Sequence, residues 1–93
     1  MNINKLQKCR KKIDQIDENI FKLIKKRTSV VKHMLQLKNH KNQIIDKKRI
    51  NEILKKIKYK SIKSKIDPKI TQKIWKSMIW GYIDFQRKNF KKK

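Results

Sequence analysis

The chain has 93 residues, room for one domain and too little for two. Lysine and arginine total 29 against 7 acidic residues, a formal net charge of +22 that attracts any polyanion. A single cysteine, Cys9, excludes an internal disulfide, and no apolar run approaches the ~20 residues of a membrane span or forms a secretory leader. The expectation is a cytoplasmic protein with no membrane partner.

The charge alone does not make the chain a nucleic-acid binder. Only Arg10, Arg27, Arg49 and Arg87 are arginine, and the other basic residues are lysines spread along the whole length. Alanine is absent while lysine, isoleucine and asparagine abound, the pattern of drift toward A/T-rich codons. A solvated lysine surface with non-specific nucleic-acid adhesion at low salt explains it. Against that background an arginine carries information. Its rigid, planar fork matches a carboxylate, which a lysine point charge does not.

From the N-terminus, Leu6, Cys9, Ile13, Ile16, Ile20, Leu23, Val30, Met34 and Leu37 recur at steps of three and four, with one longer step across Arg27. That spacing predicts a helix over about 4–38, with Cys9 as a small buried residue of its stripe. Such a helix is roughly 50 Å long, against a radius of gyration of ~13 Å for a domain of this size. It needs a second chain to cover its stripe, so an intertwined homodimer is expected. Residues 39–45 read as a loop. Asp46 is a good N-cap, and Ile50, Ile53, Leu54 and Ile57 place a second helix over about 47–61. After a connector at 62–66, Asp67-Pro68 is the strongest helix start in the chain. Ile70, Ile74, Trp75, Met78, Ile79, Tyr82, Ile83 and Phe90 carry the third helix to about 90. Gly81 within it suggests close packing, and residues 91–93 are expected to fray. One all-α domain over 1–93 results, with three helices per subunit.

Several residues break the pattern. Arg27 stands where the first stripe calls for an apolar side chain, and a guanidinium there needs an anion. That anion is either a protein carboxylate, Glu18 or Glu52, or a bound one. Lys38 lies eleven residues on, about three turns, on nearly the same face. Gln86 extends the stripe of Ile79 and Ile83 and should face inward. Arg49 opens the second helix just off its apolar face. Arg10 lies roughly a quarter-turn around from Arg27, placed to reach across a dimer. His33 and His40 have no acidic or thiol partner at ligand spacing, so no metal site is expected. No catalytic triad or glycine-rich phosphate loop is present. The aromatics Phe21, Trp75, Trp80, Tyr82, Phe85 and Phe90 are read as core, with base stacking the lesser reading.

Together these residues resemble a family. Leu6-Gln-Lys-Cys-Arg10-Lys-Lys-Ile13-Asp14-Gln-Ile16-Asp17 is similar to the opening of the all-α chorismate mutases, typically Leu-x-x-x-Arg-x-x-Ile-Asp-x-Ile-Asp. The likeness continues through Leu23-Ile24-Lys25-Lys26-Arg27, Lys38, Asp46-Lys-Lys-Arg49, Ile66-Asp67-Pro68 and Tyr82-Ile83-Asp84-Phe85-Gln86. The resemblance implies an interlocked dimer of three-helix subunits and a dicarboxylate substrate. It implies that Arg27, with Arg10 of a second subunit, holds two carboxylates, while Lys38 and Gln86 donate to the ether oxygen of the breaking bond. Arg49 would support a carboxylate end, with Asp46 beside it in the substrate-binding set. Met34, Ile50, Ile53, Ile79, Tyr82 and Ile83 would line the site.

The implied reaction, chorismate to prephenate, is unimolecular and pericyclic and serves aromatic amino-acid biosynthesis. It needs no cofactor, metal or nucleophile, only a substrate held in its reactive shape and donors for charge growing on the ether oxygen. Two positions depart from the mutase pattern. Ile50 stands where a glutamate usually meets the ring hydroxyl, and Tyr82 where a smaller residue is common. Both are similar to the isochorismate-pyruvate lyases of the same family, which form salicylate and pyruvate. The expected function is therefore a chorismate mutase, with the lyase as alternative and a basic nucleic-acid binder as the remote third.

Overall fold

The computed structural model describes residues 3–91. Three α-helices account for most of them: α1 (Ile3–Leu37), α2 (Lys47–Lys63) and α3 (Pro68–Asn89). The fold class expected from the periodicity is the one observed. The helix ends differ from expectation by one or two residues, because termini are set by local caps that periodicity does not see.

The chain divides into two compact units, Met1–Lys32 and His33–Lys93. In the first, α1 holds its apolar stripe open. No residue of the helix is buried, and Leu6, Ile13, Ile16, Ile20, Leu23 and Val30 are all exposed. Cys9 is exposed as well, and so is Phe21, at 67%. Both were expected inside. A stripe marks the face a helix will bury, and nothing within this unit covers it. Near the end of this unit the Thr28 hydroxyl donates back to the Ile24 carbonyl at 2.8 Å and that of Ser29 to Lys25 at 3.3 Å.

The second unit holds the core. Ile44, Ile79 and Ile83 are buried, and Leu35, Ile45, Ile50, Ile53, Leu54, Trp75 and Phe90 pack against them. The stretch expected to be a plain loop contains a short 3₁₀ turn, Lys41–Gln43, which carries Ile44 into this core. The Gln43 side chain closes it, its Oε1 accepting from the Asn39 and His40 amides at 2.8 and 2.9 Å.

Asp46 starts α2 by accepting from the Arg49 amide at 3.0 Å. Asp67 starts α3 by accepting from the Lys69 amide at 2.9 Å, with Pro68 in the first turn. Both are the caps that the sequence announces, each satisfying a donor the helix leaves open. At the end of α2 the Lys65 amide donates to Ile62 at 3.2 Å and the Ile66 amide to Ser61 at 2.8 Å. That closure puts Lys65 at φ 59°, a left-handed conformation normally given to glycine.

Between α2 and α3 a polar seam is fully paired. The buried Ser61 hydroxyl lies 2.6 Å from the Ile57 carbonyl and 2.7 Å from the Thr71 hydroxyl, and Gln72 Nε2 donates to the Leu54 carbonyl at 2.9 Å. Two core expectations for α3 do not hold. A Cβ on Gly81 would meet nothing within 4 Å, so close packing does not explain this glycine. Trp80 is 47% exposed, while Trp75, Tyr82, Phe85 and Phe90 are half-buried. Positions 80 and 81 fall on the outer side of a helix whose inner side is set by Ile79, Ile83 and Gln86. Among the described residues no helix is long and apolar enough to cross a membrane.

Candidate active site

In the second unit, Lys38 stands one residue past the end of α1, its amide donating to the Leu35 carbonyl at 3.3 Å. Gln86 sits in the last turns of α3 on the inward face with Ile79 and Ile83, and is buried. The fold joins them: Lys38 Nζ donates to Gln86 Oε1 at 2.7 Å. The polarity is forced, because an ammonium can only donate. The other end of the amide is also engaged, with Gln86 Nε2 donating to the Tyr82 carbonyl at 3.2 Å. Neither group is left unsatisfied, and no buried side-chain polar atom among the described residues lacks a partner.

Lys38 is half-buried. Burial holds its ammonium below the ordinary lysine pKa, and the negative charge of Asp46 works against that by favouring the charged form. Asp46 has two effects here: its side chain caps α2 through the Arg49 amide, and its charge acts on Lys38. The capping was legible in the sequence. The electrostatic action was not, since it depends on where the 3₁₀ turn brings the chain back.

The remaining expected site residues fall as follows. Ile79 and Ile83 are buried beneath Gln86, and Ile50 and Ile53 pack half-buried against that core from α2. Tyr82 is half-buried one position before Ile83. Arg49 is exposed on the first turn of α2. Met34 is exposed on the last turns of α1. Arg10 and Arg27 lie on α1 in the first unit, Arg10 exposed and Arg27 half-buried. The second unit thus gathers a cation, an amide and an apolar floor, the ingredients for holding a small polar molecule by a few directed donors.

The sequence model of chorismate mutase type II matches residues 9–87. The chain belongs to that family. The matched span runs from just before Arg10 to just past Gln86, so every expected polar contact lies within the family region. The chain is also 37% identical over 78 residues to a chorismate mutase of Methanocaldococcus jannaschii, an alignment covering 83% of this chain and 79% of that protein. No solved structure matches. The described residues form three α-helices, and the family match reaches into all three.

Proposed function

We propose that the chain is a chorismate mutase, an isomerase that rearranges chorismate to prephenate. The observation that carries the site assignment is the bond between Lys38 and Gln86, two residues 48 positions apart that the fold brings to 2.7 Å. In this reading both donate to the ether oxygen as its bond to the ring breaks and a carbon–carbon bond forms. Negative charge grows on that oxygen in the transition state, and donors already held in place, Gln86 buried and Lys38 half-buried, stabilise it without reorganising. The chain supplies no nucleophile to the reaction, because a pericyclic step asks only for geometry and electrostatics.

Arg27 and Arg49 are assigned to the substrate's carboxylates, with Asp46 beside Arg49 in the binding set. Arg10 would complete the grip from a second subunit. The homodimer is supported by the exposure of the whole α1 stripe, including Leu23 at 63% and Leu37 at 65%. A contiguous apolar face of this kind marks a surface that another molecule covers. It is supported too by the small core, in which Ile44, Ile79 and Ile83 are the buried apolar residues among those described. Met34, Ile50, Ile53, Ile79, Tyr82 and Ile83 would wall the site. The single cysteine supports a reducing, cytoplasmic setting.

The test is a paired assay. Purified protein is mixed with chorismate and its absorbance followed; in parallel it is mixed with isochorismate and salicylate fluorescence followed. Loss of chorismate with formation of prephenate is the expected result. Salicylate formation alone would transfer the site to the lyase reaction that Ile50 and Tyr82 resemble. No turnover of either at high enzyme concentration would end the enzymatic reading.

A further inference from the structure

The amide of Gln86 has three polar sites: one oxygen and two N–H bonds. The oxygen accepts from Lys38 at 2.7 Å, and the nitrogen donates to the Tyr82 carbonyl at 3.2 Å. One N–H bond is therefore committed, and one remains for a ligand. The ammonium of Lys38 has three N–H bonds, of which one is spent on Gln86 and two remain. The pair stands as a ready-made set of donors around a shared edge, with each member holding the other.

Turning the Gln86 amide over would bring its nitrogen against an ammonium and its oxygen against a carbonyl, two repulsive contacts in place of two bonds. The Tyr82 carbonyl, one turn back on α3, thus dictates which end of the amide faces Lys38. Lys38 itself follows the last helical residue of α1 and has no helix to hold it in place. Its ammonium is aimed by the Gln86 oxygen, at 2.7 Å.

We propose that Gln86 is a positioning residue for Lys38 in addition to any contact with substrate: its carbonyl oxygen aims the ammonium, and the Tyr82 carbonyl locks the amide in the orientation that lets it do so. The proposal rests on the mutase reading for its kinetic consequence, but the hydrogen-bonded pair exists without substrate. Charged and polar groups act on Lys38 from two sides: the Asp46 carboxylate from the segment ahead of α2 and the neutral Gln86 amide from α3. Removing the amide oxygen takes away a group that favours the protonated lysine, and replacing it with a carboxylate strengthens that effect.

The experiment compares pH profiles of kcat/KM for the full chain and Gln86→Leu. The alkaline decline, where Lys38 loses its proton, should move to lower pH in Gln86→Leu. If the variant loses rate while the decline stays where it is in the unmodified protein, Gln86 acts only as a donor and the proposal fails. A second measurement needs no change at Gln86 and no turnover. With glutamine side chains labelled by nitrogen-15, the Gln86 amide resonance of the free protein should shift as Lys38 titrates, and Lys38→Met should abolish that shift. A Gln86 resonance indifferent to Lys38 overturns the proposal even in an active enzyme. Absence of chorismate turnover would sink the mutase reading alone, because the resonance still decides the pair.

Discussion

Lys38 and Gln86 meet at 2.7 Å across the end of α1 and the end of α3, with the lysine donating and the buried amide accepting. Loss of the ammonium should remove one of the two donors assigned to the ether oxygen. Lys38→Met is expected to lower kcat by about 10²–10³-fold, the usual cost of one preorganised donor to a developing oxyanion. A steady-state comparison at neutral pH checks it, and a loss confined to KM would place Lys38 in ground-state binding instead.

The same lysine should set an alkaline limit. Burial holds its pKa below the ordinary lysine value, so activity should begin to fall at a lower pH than an exposed lysine would allow. The effect on stability has the opposite sign. Between the lowered folded value and the higher unfolded one, the unfolded chain binds more protons, so this group makes the fold more stable as pH rises through that window. Denaturation midpoints and kcat/KM measured over one alkaline series should therefore diverge.

Arg27 tests the argument that this chain writes arginine where a fork is needed. Arg27→Lys keeps the charge and removes the second prong. A drop of about 10–100-fold in kcat/KM is expected, the worth of one charge-assisted hydrogen bond. Near-normal turnover would show that a point charge suffices.

The dimer can be tested by mixing. If Arg10 serves the partner's site, Arg10→Ala and Arg27→Ala are each nearly inactive alone. Unfolded and refolded together, they form hybrid dimers with one intact site, and about a quarter of full activity should return. No recovery would put both arginines in the same subunit's site.

Lys65 offers a stability prediction away from the site. It holds φ 59° at the end of α2, which costs a side-chain-bearing residue roughly 1–2 kcal/mol that glycine does not incur. The extra freedom of glycine in the unfolded chain offsets part of that gain. Lys65→Gly is expected to raise unfolding free energy by about 0.5–1 kcal/mol, read from a denaturant midpoint at unchanged slope.

The net charge of +22 should act on a dianionic substrate at a distance. Chemistry between groups already in contact is little affected by salt, whereas encounter is. Raising ionic strength should lower kcat/KM with kcat nearly constant; equal losses in both would argue against steering.

The three helices, their order and both N-caps were legible in the residues, because periodicity and capping are local. Asp46 and Asp67 read correctly for that reason, and so did the inward direction of Gln86, which continues the stripe of Ile79 and Ile83. Cys9 and Phe21 did not read correctly in the single chain: a stripe records which face wants burial, not what covers it. Trp80 and Gly81 lie on the outer face of α3, which follows from their position relative to Ile79 and Ile83 and not from their residue type.

Local pattern by itself determined an all-α chain with a long amphipathic first helix, and marked Arg27 and Gln86 as polar residues out of place. Lys38 by itself read as an ordinary lysine near a helix end. Local pattern could not bring it to Gln86, nor decide that the amide presents its oxygen to the lysine and its nitrogen to Tyr82. Those facts depend on how the turn at 41–43 returns the chain to α3 and on which donor meets which acceptor there. Such pairings join residues far apart in sequence, and only tertiary packing chooses among them.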